Sequence, residues 1–573
     1  MLKFNLEDYL TDEKLIESSI YYTIYSRLNE DHVCNFFELN INCNNKTDIN
    51  QLVTYIKNIY SLSQPYIQDK SFAYYYPKNQ FFLRRCVYLP FKELAVRYHL
   101  VNTISLAVEN SFIPTSFADR TQRSKIGFLP LFQKYYPNYK KFIKWAENLI
   151  IKYKDEKQDS YVLKADISSF YDAISHDYLV NSIFHILGNI LPREYESLLR
   201  EILTSEVEFY SIVDNSLKFD HKHQGLLVGN RTEGYLTNIL LAQLDDLMIS
   251  HNFNYARYVD DIQVVTKTEK EAIKAVNILE EELHRIGLNL NSTKTKIIHN
   301  PISIEDLLRK DHQISLSDKL TQEFQNKDLD QSTVEDDQDE DKIEDYLIED
   351  YLKEILKIKS FNNLEQQEAH AITKFLGKLD LKKLNQLKLG YDINDEFIGL
   401  LIENIPEIIQ LFPTTINSNT WNIVSFINFG FSNKIIISGY KAMNEIFKNK
   451  NIMDYARTRL IHHLVKPRKK DPPYILMMVK NNDKLSEKLI IIFQDFLSSK
   501  SIDLNLNALY AIWIISHKDN GKYFDEKFFR KNIDNYLSRP ISHNVSRVLS
   551  SILEQKNTFN FCDYFDFTEL SNN

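Results

Sequence analysis

Apolar side chains recur every three to four positions in Leu15–Tyr25 and again in Ile49–Leu62. That period predicts a small, mostly helical N-terminal region over residues 1–75. Its Tyr74-Tyr75-Tyr76 run is expected to pack against a neighbour. Further on the period changes. Tyr161–Ile174 reads as a strand running into a turn, followed by helical patterns to about Glu206, a polar segment through Lys222, and a helix over Glu233–His251. Tyr255–Val265 carries β-forming residues on both sides of Asp260 and Asp261, so it predicts a hairpin with the two acids at its turn. A helix over Lys270–Ile286 and a strand over Thr295–Ile298 follow. Strands alternating with helices over residues 76–300 predict an α/β layer.

Past residue 300 the text becomes a connector, 301–345, ending in the acidic run Glu335–Asp341, which repels itself. From Tyr346 onward the stripes are helical: Tyr346–Ile358, Glu365–Leu379, Glu396–Leu411, Lys434–Phe447, Ile452–Val465, Lys484–Leu497, Leu504–Ile515 and Val545–Leu553. They predict an all-α, HEAT-like array of helix pairs over 346–573, a build suited to scaffolding or oligomerisation.

With 573 residues the chain exceeds one core, and several domains are expected. A net charge of -9 argues against a protein that coats nucleic acid wholesale, but it leaves room for a local basic channel. Between Lys78 and Lys154 the sign reverses: 14 Lys and Arg face Glu93, Glu109, Asp119 and Glu147. Aromatic residues are interleaved there, the mixture expected where a strand is held by phosphate contacts and base stacking. Four scattered cysteines, with no C-x-x-C pair, indicate neither a zinc site nor a disulfide framework, which suits a reducing cytoplasm. The N-terminus lacks a secretory pattern, and no apolar run is long enough to span a bilayer, so no membrane partner is expected.

The chemistry concentrates in three acids. Asp260 and Asp261 are adjacent carboxylates between apolar strands, where repulsion and lost hydration call for a cation. Asp166, in Leu163-Lys-Ala-Asp-Ile-Ser-Ser-Phe-Tyr-Asp-Ala-Ile174, stands at the end of another strand. Three carboxylates on neighbouring strands make the ligand set of a two-metal site for in-line phosphoryl transfer. Two Mg2+ ions are the expected cofactors, with Mn2+ as a substitute.

In its order of motifs the chain resembles reverse transcriptases over roughly residues 80–300. Arg85-Cys-Val-Tyr-Leu-Pro90 resembles the fingers motif, and Phe112–Arg120 resembles the serine–aromatic–arginine segment after it. Asp166–Ile174 matches the first palm motif. Gly225–Asn238 stands in the template-and-nucleotide position, Tyr258-Val-Asp-Asp261 matches the metal hairpin, and Gly287–Thr295 resembles the lysine motif. The resemblance implies a right-hand fingers and palm, with Asp166, Asp260 and Asp261 catalytic. Those three and the backbone of Ile167 would be metal ligands. Arg84 or Arg85 would hold the triphosphate, Tyr171 would exclude a ribose 2′-hydroxyl, Gly229 would admit the nascent base pair, and Lys294 would meet the pyrophosphate. Asp172 and Asp177 are expected to serve caps or surface pairs. Leu227-Val-Gly229 departs from the family's Pro-Gln-Gly, which puts ordinary template handling in doubt.

A palm followed by a helical tail is similar to the bacterial abortive-infection, AbiA/AbiK-like reverse transcriptases. That resemblance implies phage defence, dNTP substrates, a single-stranded DNA product made without a template or on a protein primer, and a homo-oligomer formed through the helical part. Two alternatives stand beside it: templated copying of a specific noncoding RNA, as in retrons, and a helical scaffold carrying an inert palm. Arg457 and His462 also have a spacing found in HEPN ribonucleases, though such spacing arises easily on any basic helix.

Overall fold

The computed structural model describes residues 5–30, 36–43, 46–77, 83–122, 130–210, 218–222, 225–301, 436–466, 473–480, 482–497 and 501–517, with a few isolated positions. The chain divides into two compact units. One comprises Met1–Tyr74, Arg85–Lys310 and Lys527–Asn573; the other comprises Tyr75–Arg84 and Asp311–Glu526.

The first unit is built on α5 (Phe91–Val108), which starts after Pro90 and is buried along nearly its whole length. Around it pack α1 (Leu6–Leu10), α2 (Glu13–Asn29), α3 (Phe36–Cys43) and α4 (Lys46–Tyr60). The helices expected at Leu15–Tyr25 and Ile49–Leu62 are thus α2 and α4. What locks them is polar as well as apolar. Buried His99 contacts the Leu10 carbonyl at 2.9 Å through Nε2 and the Ser19 hydroxyl at 3.2 Å through Nδ1. Arg27 donates to the Leu89 carbonyl and lies 4.1 Å from the centre of the Tyr88 ring. The Glu38 carboxylate accepts from the Tyr88 hydroxyl at 2.5 Å and from the Phe91 amide at 2.6 Å. The N-terminal helices therefore hold the segment that follows Arg85.

Two four-stranded sheets complete this unit, apart from Tyr75–Pro77 and Leu83–Arg84 of the first, which group with the other unit. The first has the order β2-β1-β4-β5, from β1 (Ser71–Pro77), β2 (Leu83–Tyr88), β4 (Glu206–Tyr210) and β5 (Lys218–Lys222). The tyrosine run expected to pack against a neighbour lies in β1. The polar segment through Lys222 is not featureless, because it supplies β4 and β5. β4 pairs in parallel with β1 at Ser71↔Val207 and antiparallel with β5. Charged residues at alternate positions mask such strands, since ladder hydrogen bonds use backbone groups that every residue has.

The second sheet, order β6-β7-β3-β8, is antiparallel: β3 (Tyr161–Asp166), β6 (Asn254–Tyr258), β7 (Asp261–Thr266) and β8 (Lys296–His299). One face meets α11 (Glu269–Arg285), whose inward Ala272, Ala275, Leu279 and Leu283 follow a helical stripe. α6 (Tyr135–Asp155) packs Ala146, Ile150 and Tyr153 against Val162 and Val265. α10 (Arg231–Ser250) lies against β6, where buried Arg257 pairs with Asp245 at 2.7 Å. The short helices α7 (Phe170–Ala173), α8 (His176–Leu187) and α9 (Tyr195–Leu203) bridge β3 to β4. None of the described helices is long and apolar enough to cross a membrane.

In the other unit the described helices are α12 (Ile436–Lys448), α13 (Asp454–Val465), α14 (Tyr474–Val479), α15 (Asp483–Phe496) and α16 (Ile502–His517). Four of the expected stripes fall on α12, α13, α15 and α16, and α14 was not anticipated. α16 packs against α13, α14 and α15, which accounts for its apolar residues on every side. Arg457 pairs with Asp454 at 2.6 Å and His462 is buried, so the ribonuclease spacing is taken up inside the helices. The stripes at Tyr346–Ile358, Glu365–Leu379 and Val545–Leu553, nearly all of Glu396–Leu411, and the acidic connector from residue 302 lie outside the described residues.

Candidate active site

The site is assembled where β3 ends beside the turn between β6 and β7. β3 and β7 run antiparallel in the register Tyr161↔Thr266 through Asp166↔Asp261, so the last pair of that ladder sets two carboxylates opposite one another. Cross-strand neighbours of this kind have Cβ atoms about 5 Å apart. Tyr258↔Asp261 closes the hairpin, leaving Val259 and Asp260 as its turn. Val259 adopts φ 56°, a left-handed conformation that disfavours a β-branched side chain. Strain of that kind at a turn is the sort a surrounding structure must hold in place.

The electrostatics follow from this placement. Burial and the charges of Asp261 and Asp166 push the Asp260 carboxyl up to about 6, against a partial offset from Lys294. Asp261 is also raised, by burial and then by Asp166, while Lys164 and Lys294 oppose the shift. A loop from residue 287 to 295 wraps the end of β3. Ile167 forms an isolated bridge with Leu290, and the Asn291 amide donates to the Asp166 carbonyl at 2.7 Å. The loop then places Asn291 Nδ2 at 3.2 Å from Asp166 Oδ2 and Lys294 Nζ at 2.9 Å from Asp166 Oδ1.

Other candidates from the sequence fall as follows. Arg85 reaches Asp172 at 3.2 Å across an exposed ion pair, one turn beyond the first acid. Asp177 pairs with Arg200, so both flanking aspartates serve surface pairs. Tyr171 is half-buried, edge-on to Phe170 at 5.5 Å, and its carbonyl accepts from the Leu226 amide at 2.8 Å. Gly229, at φ 126°, abuts the Tyr74 hydroxyl, which a Cβ would meet at 3.1 Å. Its lack of a side chain thus serves packing against β1. Arg84 is exposed and groups with the other unit.

The basic stretch is partly committed to internal pairs. Buried Arg97 pairs with Glu233, and Arg120 pairs with Glu109 at 2.6 Å, tying the loop that docks on β6. Phe117 donates its amide to the Arg257 carbonyl at 3.1 Å and Arg257 its own to the Thr115 carbonyl at 3.0 Å. Tyr88, Tyr98 and Phe132 are buried and unavailable for base stacking.

Three contributors escaped the sequence reading. Asn291 positions Asp166, and nothing short of the fold joins residues so far apart in the chain. Gly225, at φ 94°, sits where a Cβ would lie 2.6 Å from the Asp172 carbonyl oxygen and would also strike the Tyr171 carbonyl oxygen. Its own carbonyl accepts from His176 Nε2 at 2.7 Å. Gly234 in α10 lets the Asp119 carboxylate approach the helix, where Arg231 pairs with it at 2.9 Å. In a chain with only 12 glycines, the two glycines themselves were the available signal.

The donor chemistry fits a divalent cation. All three acids offer hard oxygens, and the burial and then the mutual repulsion that raise Asp260 are what a cation relieves. Among the described residues no three His, Cys, Asp or Glu side chains are already gathered closely enough to hold a metal. Asp166 is engaged by Lys294 and Asn291 instead.

Residues 105–378 match the family described as reverse transcriptase (RNA-dependent DNA polymerase). No curated protein matches the chain. Among solved structures it is similar to apo telomerase from Candida tropicalis truncated from its C-terminal domain, at 15% identity and a TM-score of 0.30. That alignment covers 40% of this chain and 50% of the other, so the chain spans half the telomerase chain's length. Over residues 105–378 the chain is thus similar to reverse-transcriptase domains, which are nucleotidyltransferases of the DNA-polymerase type.

Proposed function

We propose that the protein is a Mg2+-dependent DNA polymerase of the reverse-transcriptase type, acting in antiviral defence and making DNA without a template or on a protein primer. The observation that carries the polymerase reading is the ladder pair Asp166↔Asp261, with Asp260 beside it in the turn. The departure at Leu227-Val-Gly229 and the helical second unit support the untemplated, defence-associated form. In this reading residues 76–300 act as fingers and palm, and the helices beyond residue 346 form a HEAT-like part that brings copies of the chain together.

Asp166, Asp260 and Asp261 would hold two cations, with the Ile167 carbonyl as a further ligand. Bound there, the cations supply neutralisation of charge on the attacking and departing oxygens of the phosphoryl transfer. The chain's own residues do the rest. Lys294 holds Asp166 against the loop and would meet the anionic end of a bound nucleotide. Arg85, poised at Asp172, offers a planar guanidinium for bidentate phosphate contact. Tyr171, whose carbonyl accepts from the Leu226 amide, would present a bulky ring to the sugar and favour deoxynucleotides. Gly225 permits that close approach.

The test is incubation of the full-length protein with labelled dNTPs and Mg2+ or Mn2+, without added template, followed by a denaturing gel. Label on the polypeptide or in free DNA of no defined sequence is expected. No incorporation with either metal, with or without a primed template, would remove the reading.

A further inference from the structure

α6 joins two features at one place. At its N-terminal end Tyr135 and Tyr139 stack at 6.1 Å and 11°, and both stand edge-on to Tyr258 at 5.2 Å, two residues before Asp260. Tyr135 is 59% exposed although it is a large aromatic. Tyr139 lies close enough to Asp261 for the acid's charge, after burial, to raise its phenol. The rings therefore form a shelf at the lip of the acid-bearing turn.

The remainder of the helix is amphipathic in a particular sense. Phe142, Ala146, Ile150 and Tyr153 face the sheet. At 100° per residue, Lys140, Lys141, Lys144, Lys152 and Lys154 share the opposite face, and all five are exposed. Only Glu147 and Asp155 offset them within the helix. Over 21 residues such a helix runs about 30 Å. A solvated helix face in a chain of net charge -9 would ordinarily mix signs. This one is lysine-rich and begins at an exposed aromatic stack.

We propose that α6 is a track for single-stranded nucleic acid, with Tyr135 and Tyr139 stacking a base next to the acidic turn and the lysine face following the phosphates away from it. This rests on the polymerase reading and names where that enzyme holds its strand. Charge complementarity selects a polyanion, and the exposed ring stack selects one with unpaired bases over a duplex. Arg97 and Arg120, basic residues of the same region, are held in internal pairs and take no part.

The test measures binding of a fluorescein-labelled oligothymidylate to the full-length protein by anisotropy, with Mg2+ present and the salt concentration varied. For single strands each phosphate contact adds about 0.7 to the slope of log affinity against log salt. The triple variant Lys141→Gln, Lys144→Gln, Lys152→Gln is expected to lower that slope by about two and to weaken binding at low salt at least tenfold. Tyr135→Ala is expected to weaken binding by about tenfold with the slope unchanged, and Tyr135→Phe to restore it. Lys270→Gln with Lys274→Gln, exposed on α11, removes charge elsewhere and should change neither. An unaltered slope in the triple variant, or an equal loss in the α11 variant, overturns the track, as does preference for duplex over single strand. The polymerase reading is tested apart from this by dNTP incorporation. Incorporation with strand binding indifferent to α6 removes the track alone, and strand binding through α6 with no incorporation removes the polymerase alone.

Discussion

Individual side chains at the acid cluster make the sharpest predictions. Asp260→Asn combined with Asp261→Asn should lower dNTP incorporation by at least about a hundredfold, since it removes charge from the place where transition-state charge must be balanced. If the proposed role in defence is correct, protection from phage should disappear with it; undiminished protection would favour an inert palm on a helical scaffold. Lys294→Met releases Asp166 from its 2.9 Å ion pair. Lysine and a divalent cation compete for the same carboxylate, so Mn2+ should bind about two- to fivefold more tightly, a modest gain because Lys294 is half exposed. Electron paramagnetic resonance reads that affinity directly, and incorporation should fall even as it improves. Asp166, Asp260 and Asp261 were legible in the chain because acids beside apolar β-forming runs are chemically conspicuous. Asn291 was not, because an ordinary polar residue acquires its role only when its loop closes over β3.

Among the secondary elements, the strand-to-α7 corner depends on a backbone approach that only glycine permits. Gly225→Ala would set a methyl group against the Tyr171 and Asp172 carbonyls at φ 94°. A loss of about 1–3 kcal/mol is expected in a denaturant melt, together with reduced incorporation, while far-ultraviolet circular dichroism stays native. The Asp245–Arg257 pair between α10 and β6 should behave differently. Both groups are fully buried, so Asp245→Asn alone leaves an uncompensated guanidinium and should cost about 3–5 kcal/mol. Replacement of both by leucine and methionine should recover most of that loss. Helices with a clean apolar stripe, such as α4 and α11, were read to within a few residues. β4 and β5 were missed because their pairing rests on backbone hydrogen bonds, and α5 because a helix buried all round has no polar face to reveal its period.

Across the whole molecule, stability should depend on pH through the junction of α1 and α2 with α5. Burial pushes buried His99 down to about 4, while its contact with the Leu10 carbonyl opposes the shift. A depressed histidine favours its neutral form in the folded state. Its stabilisation is therefore complete above the unfolded value near 6.5 and is lost as pH falls toward 4. Between pH 7 and pH 5 the expected loss is about 2 kcal/mol. A His99→Gln variant, which cannot protonate, should show a flatter profile in parallel melts. Equal pH dependence in the two proteins would contradict this account.

Read as text, the chain already disclosed the helices with a clean apolar stripe, the hairpin that carries Asp260 and Asp261, and the class of chemistry expected there, because periodicity and clustered like charges are local properties. Folding settled which distant groups meet. It put Asp166 opposite Asp261, brought Lys294 and Asn291 onto Asp166, and drew Arg97 and Arg120 into internal pairs while leaving the lysines of α6 on the surface. A count of charges along a sequence cannot separate those fates. Whether a cation is compensated by a buried carboxylate or faces water depends on where the packing of other segments carries it.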